Sequence, residues 1–219
     1  MKVLLLLAHA DDESLGAGGT IQQLLAQGHQ VQLIIASDGV VDMRDQATDN
    51  RAPLARACGI LGIPNWATLG LPDQRFEQIA VSEIARKTAK AIHRPPDLII
   101  THSHRDLNQD HRIISEVAKI IGRPRNRAVS ILTCEIPCVG LWNGEPFQPN
   151  FYVPLSEDQL KRKIEAFGCY SEENKTFPDP YSAEGLKTLA RQRGMESGSD
   201  AAEAFEIIRW YPQHGWKMS

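Results

Sequence analysis

The sequence predicts an α/β fold: a Rossmann-like, doubly wound and mostly parallel sheet with helices on both faces. Three observations lead there. Apolar runs such as Val3-Leu4-Leu5-Leu6-Leu7-Ala8 and Leu98-Ile99-Ile100 are continuous rather than alternating, as in strands buried on both faces. Stretches with apolar residues at helical spacing separate them. Strand and helix signals then alternate over residues 1–136. A βαβα order implies parallel strands joined by crossover helices.

In order along the chain, a strand is expected over 2–8 and a helix over 14–27, which Gly28 stops. A second strand over 31–36 runs into Ser37-Asp38-Gly39, and a second helix over 50–61 ends before Gly62. A short strand follows at 66–69. Residues 76–92 have helical spacing, and Pro95-Pro96 bars continuation. A strand at 98–101, a helix at 109–122 and a strand at 129–134 complete the core. Beyond Cys138 the pattern loosens. Residues 141–149 contain Gly, Asn and two prolines and read as a loop. Ser156 is placed to cap a helix ending near 167, with Gln159 partly mimicking a capping box. A helix at 183–193 and an extended segment at 204–210 follow. No repeat or linker appears, so one domain over 1–219 is expected, with the core at 1–136 and a pocket-shaping part at 137–219.

Of the 219 residues 42% are hydrophobic and 23% charged, which suits a soluble globular protein. A net charge of -3 gives no case for nucleic acid or an anionic membrane surface. The leucines after Lys2 imitate a signal peptide, but the run is short and stops at His9 and three acids. No stretch approaches the roughly 18 apolar residues of a membrane span. The cytoplasm is therefore the expected compartment. Cys58, Cys134, Cys138 and Cys169 form no C-x-x-C pair and read as reduced core thiols; Cys134 and Cys138 lack a Cys/His partner at zinc spacing.

The chemistry sits where strands end. His9-Ala10-Asp11-Asp12-Glu13 follows strand one directly. Unpaired buried charge is costly, and a divalent metal is the simplest partner for this set. The stretch from Thr101 to Arg112 follows strand four and holds His102, His104, Asp106, Asp110 and His111. The doubly wound order sets strands one and four side by side, with their carboxyl ends on the ligand crevice. The two clusters thus converge. His9, Asp12 and one histidine of the second cluster would give the pattern of a catalytic zinc with one open position. Such a metal makes water acidic near neutral pH, and Asp11 or Glu13 is placed to take the proton.

These two clusters resemble the A-H-P-D-D-E and D-x-N-x-D-H-R elements of the PIG-L/LmbE-like N-deacetylases. Gly18-Gly19-Thr20, Ser37-Asp38-Gly39 and Ala202-Glu203-Ala204-Phe205 resemble that family's G-G-T, T-D-G and A-E-x-F. Arg51 and Leu71-Pro72-Asp73 resemble its pocket positions. The resemblance implies an LmbE-like fold, with His9, Asp12 and His111 holding zinc and Asp11 as general base. Iron or cobalt suits the same donors. It further implies a small-molecule N-acylated amino sugar, or a conjugate of one, split into acetate and a free amine. Arg51, Asp73, His102 and Glu203 become candidate substrate contacts; His104, Asn108 and Asp110 join Asp11 as candidate catalytic residues. Members of the family often assemble, so a homo-oligomer is a further expectation. Ala10 replaces the usual proline, which affects loop stiffness. Asn108 stands where some members carry histidine. Asparagine donates a hydrogen bond but exchanges no proton, so protonating the leaving amine would fall to Asp11, His102 or His104.

Plainer readings compete. His9 could brace the strand end, and Asp12 and Glu13 suit a helix N-terminus. His111 could lie on a helix surface. His102 and His104 alternate along an extended stretch, so only one is expected to face the metal. Asp110 either orients a ligand or is solvated, and Asp106 either does the same or shapes a turn. Arg51, Asp73 and Glu203 could equally form salt bridges, and Arg191 and Arg193 a solvated helix face. A dinucleotide-binding oxidoreductase would suit the fold, with Asp38 as ribose ligand and Gly16-Ala17-Gly18-Gly19 as its loop. However, G-x-G-x-x-G does not follow strand one, and three acids occupy the place of the pyrophosphate. A metal-binding relative without activity would not need Asp11.

Overall fold

A computed structural model describes residues 1–41, 47–142 and 144–212, the side chains of 138–140 excepted. The Cys138 thiol and Asn143 of the expected loop lie outside the described residues.

The elements are β1 (Lys2–Leu7), α1 (Asp12–Ala26), β2 (Gln30–Ser37), the two-residue strands β3 (Val40–Val41) and β4 (Thr48–Asp49), α2 (Arg51–Leu61) and β5 (Asn65–Leu71). Then come a 3₁₀ turn (Phe76–Gln78), α3 (Val81–Ala91), β6 (Leu98–His102), α4 (Gln109–Ile121), β7 (Ser130–Cys134), α5 (Pro137–Trp142), β8 (Phe151–Pro154), α6 (Glu157–Phe167), α7 (Ala183–Ser197) and β9 (Ala202–Arg209). The main sheet runs β5-β2-β1-β6-β7-β9-β8. The first five are parallel, and β9 pairs antiparallel with both β7 and β8. Leu4 pairs with Gln32 of β2 on one side and Ile99 of β6 on the other. Strand order reverses between β1 and β6, so the loops leaving both strands open on one crevice, as the sequence predicts.

Why β1 is apolar throughout is now plain. Val3, Leu5 and Leu7 enter one core, shared with Leu33, Leu54 and Phe167. Leu4, Leu6 and Ala8 enter the other, shared with Ile34, Phe76 and Ile114. Fully burying each such side chain contributes about 1.5–3 kcal/mol. No helix among the described residues is long and apolar enough to cross a membrane.

Three details depart from expectation. The helix expected over 76–92 is broken: Ile79 is extended at φ -118 and ψ 132, and α3 starts only after Ala80. The turn is tied to the site, where the buried Phe76 donates its N–H to Asp110 Oδ1 at 3.2 Å. Strands β3, β4 and β8 and helix α5 fall in stretches with no periodic signal. β8 is four residues long, lies on a sheet edge and ends in Pro154, an edge-tolerated residue. The capping box at α6 is complete rather than partial: Ser156 Oγ accepts from Gln159 N at 3.2 Å and Gln159 Oε1 from Ser156 N at 2.9 Å.

Helix α1 is two helices joined at Ala17, whose φ of -149 is non-helical. The break exposes backbone groups that a buried ion pair satisfies. Glu203 accepts from Gly19 N (2.9 Å) and Thr20 N (2.7 Å), while Lys163 Nζ donates to Leu15 O (2.7 Å) and to Glu203 Oε1 (2.5 Å). A Cβ on Gly19 would meet Leu155 Cδ2 at 2.5 Å, so glycine there lets the neighbouring chain approach. The G-G-T and A-E-x-F stretches, 184 residues apart in the chain, are therefore one structural device.

Candidate metal centre and its cleft

His9 leaves the end of β1, Asp12 opens α1 and His111 lies in the first turn of α4. Their donor atoms converge. His9 Nδ1 is 3.1 Å from His111 Nε2 and 3.8 Å from Asp12 Oδ2, and His111 Nε2 is 3.5 Å from Asp12 Oδ1. Ligands of a tetrahedral zinc at about 2.0–2.1 Å lie about 3.3 Å apart. The three therefore fit a metal ion without moving far.

The far side of each imidazole is held by carboxylates. His111 Nδ1 donates to Asp106 Oδ2 at 2.8 Å. His9 Nε2 lies 3.1 Å from Asp110 Oδ2 and 3.2 Å from Asp73 Oδ1. Such partners fix the tautomer and aim the other nitrogen inward. Two further groupings, His102–Asp106–His111 and His9–Asp73–Asp110, also lie within ligand range. In each, Asp106 or Asp110 meets the ring nitrogen turned away from the main trio, so we read them as supports. Burial works against ionisation of Asp12, but His111, His102 and His9 outweigh it and hold its carboxyl well below the usual range. Burial likewise works against protonation of His111, yet Asp12, Asp106 and Asp110 hold its pKa up at about 9. The point between the two rings attracts positive charge.

Asp11 caps α1 at the left-handed φ of 133 and is 8% exposed. Glu13 braces it, accepting from Asp11 N (3.1 Å), Ser14 Oγ (2.7 Å) and Tyr170 OH (2.7 Å). Burial, then Asp12, Glu173, Glu13 and Asp73, raise the Asp11 carboxyl well above its ordinary value. Burial also lifts Asp73 to about 6, with Asp110, Asp12 and Asp38 adding to it against the pull of His9.

A cleft of about 410 Å³ opens over these groups. His9, Asp11, Asp12, Asp73, Asn108 and His111 line it, joined by Glu173, Tyr181 and Gln74. Asn108 caps α4, its Oδ1 accepting from Asp110 N at 2.9 Å. That leaves its amide NH₂ as the donor end. A hollow of about 580 Å³ lies at the other end of the strands, lined by Lys2, His29, His93 and Arg94. It gathers no convergent set of ligands.

Five predicted site residues are not brought to the cleft. His102 is fully buried, stacked on His111 at 3.8 Å, with Nε2 accepting from Ala8 N (2.9 Å) and 3.2 Å from Asp12 Oδ2. It braces the trio from behind. His104 is exposed; partial burial, then Lys119 and Arg105, lower its pKa. The alternation puts one ring inside and one out, but the inner ring stands behind Asp12 instead of facing the metal site as expected. Arg51 is exposed and tied to Asp49 at 2.6 Å. Glu203 is committed to the α1 splice. Asp110 sits behind His9 rather than facing the cleft. Arg193 is held by Glu135 and Glu196. The glycines that imitate a dinucleotide loop are packed away: a Cβ on Gly16 would meet Cys134 Sγ at 2.6 Å. Glu173, Tyr181 and Tyr170 had no local sequence signal, since each comes from an irregular segment more than 150 residues from Asp11.

Comparison with known proteins agrees with this geometry. Residues 4–121 match the family described as PIG-L, GlcNAc-PI de-N-acetylase, a span that includes both clusters. The diacetylchitobiose deacetylase of Thermococcus kodakarensis is 26% identical over 231 residues, covering 94% of this chain and 83% of that protein. The N,N'-diacetylchitobiose deacetylase structure from Pyrococcus horikoshii superposes with a TM-score of 0.72 at 20% identity, covering 97% of this chain and 87% of the other. The 4-carboxy-2-hydroxymuconate hydratase of Pseudomonas putida superposes with a TM-score of 0.74 at 18% identity, covering 99% and 100%. The fold therefore hosts more than one chemistry, and function rests on the site. With more than half of its length matched, motifs included, this chain belongs to the PIG-L family.

Proposed function

We propose that the protein is a zinc-dependent hydrolase that removes the N-acetyl group from an amino sugar or an amino-sugar conjugate. One observation carries the reading: three converging metal donors share a cleft wall with a buried carboxylate, Asp11, that is not among them. A relative named for diacetylchitobiose supports the substrate class.

His9, Asp12 and His111 would hold the metal, which when bound polarises the acyl oxygen and makes water a stronger acid. Asp11 takes a proton from water as the water oxygen bonds to the acyl carbon. A base for this step works best with a pKa near the working pH. Burial pushes Asp11 upward, and a cation beside it pulls it back down. The Asn108 NH₂ is positioned to donate to the acyl oxygen as negative charge develops there. Asp11 then returns its proton to the nitrogen as the C–N bond breaks.

The test is acetate release from N-acetylglucosamine, diacetylchitobiose and lipid- or nucleotide-linked N-acetyl amino sugars, before and after chelation and with zinc restored. Release from at least one, lost with the chelator and regained with zinc, is expected. A folded, zinc-loaded protein that releases acetate from none would end the proposal.

A further inference from the structure

Breaking the C–N bond leaves its electron pair on nitrogen, which takes up protons and ends as a cationic ammonium. Of the carboxylates assigned so far in the cleft, Asp12 faces His111 and Asp73 faces His9, which leaves Asp11 to meet that atom. His104 is exposed and away from the cleft, His102 is sealed behind Asp12, and Asn108 faces the acyl oxygen as a donor. Glu173 is a further carboxylate there: it lines the same cleft, is 9% exposed, and its field acts directly on Asp11. Hydrogen bonds tie its backbone to the Asp11 loop. Glu173 N donates to Tyr170 O at 3.0 Å, Tyr170 OH donates to Glu13 Oε1 at 2.7 Å, and Glu13 Oε2 accepts from Asp11 N at 3.1 Å. The turn carrying Glu173 and the loop carrying Asp11 are thereby built as one unit, although they lie far apart in sequence.

We propose that Glu173 receives the leaving amine: its carboxylate accepts a hydrogen bond from the nitrogen as the C–N bond breaks, and pairs with the ammonium product. The inference rests on the deacetylase reading above. In the full step, water gives one proton to Asp11 while its oxygen bonds to the acyl carbon. The C–N bond breaks with its electron pair on nitrogen, which takes the proton from Asp11. The acetic acid so formed passes its proton to the amine, leaving acetate and an ammonium ion against Glu173.

The experiment compares zinc-loaded wild type with Glu173→Gln and Glu173→Asp on the N-acetyl amino sugar that the wild type cleaves, and on p-nitrophenyl acetate. It also measures inhibition by the free amino sugar. Loss of one charged hydrogen bond to nitrogen predicts that Glu173→Gln lowers kcat roughly tenfold to a hundredfold with KM changed less than about threefold. Inhibition by the amine weakens about tenfold, and Glu173→Asp recovers part of both. The aryl ester, whose leaving group departs as an anion, falls far less than the amide, by no more than the loss of Glu173's field at Asp11 imposes. Unchanged amide turnover, or a parallel fall on amide and ester with undiminished inhibition by the amine, overturns the proposal. If the wild type does not cleave the ester, the inhibition constant decides: unaltered in Glu173→Gln, it overturns the proposal. If the wild type releases no acetate from any N-acetyl sugar, the deacetylase reading itself fails and takes this inference with it.

Discussion

His9 Nδ1 and His111 Nε2 face each other at 3.1 Å with their far nitrogens beside carboxylates. Below pH of about 9 the point between them holds a proton on His111, which an incoming metal must displace. Zinc affinity should therefore rise with pH, by about tenfold per unit between roughly pH 6.5 and 8.5. Competition with a chromophoric chelator measures it, and a flat series would contradict the assignment. Asp106→Asn replaces the carboxylate partner of His111 Nδ1 with a neutral amide and should weaken zinc binding about 10- to 100-fold. Asp11→Asn should keep the metal but lower kcat by about 10²–10⁴; equal turnover by the variant would remove Asp11 from the chemistry. The trio was legible in the sequence because contiguous motifs carry it: strand one delivers His9 and Asp12, and the start of α4 delivers His111. Glu173 and Tyr170 were not, because neither spacing nor periodicity marks a residue whose partner lies across the fold.

At the scale of elements, α1 shows how a motif can be recognised and its purpose misread. Glu203 resembles a pocket residue in sequence, yet it satisfies amides exposed by the break at Ala17. Periodicity over residues 14–27 runs through the break and gives no sign of it. Both side chains of the Lys163–Glu203 pair are about 95% buried, at 5% and 4% exposure. Removing one partner leaves an uncompensated charge, so Glu203→Ala should cost about 3–5 kcal/mol in denaturant titration. A loss below about 1 kcal/mol would mean that water repairs the splice. The helix expected over 76–92 is likewise interrupted, at Ile79, where the periodicity gives no sign of it.

For the whole molecule, the strand order was legible because buried parallel strands leave continuous apolar runs, and β1 enters two cores at once. The antiparallel β8 leaves no such run. The cleft that this sheet positions is acidic, with Asp11, Asp12, Asp73 and Glu173 on its walls and no lysine or arginine among its described lining residues. A neutral N-acetyl amino sugar should thus exceed its 6-phosphate in kcat/KM by about tenfold or more at low salt; equal values would point to a cation supplied from elsewhere. The backbone of Asp11 has a cost borne by folded stability overall. At φ 133 it occupies a conformation natural to glycine, and it carries a carboxyl that burial disfavours. Asp11→Gly should therefore melt at a higher temperature than the wild type while turning over nothing. On the proposed role of Asp11, thermal robustness and catalysis compete for a single position, and a selection for heat resistance alone would discard that carboxylate first.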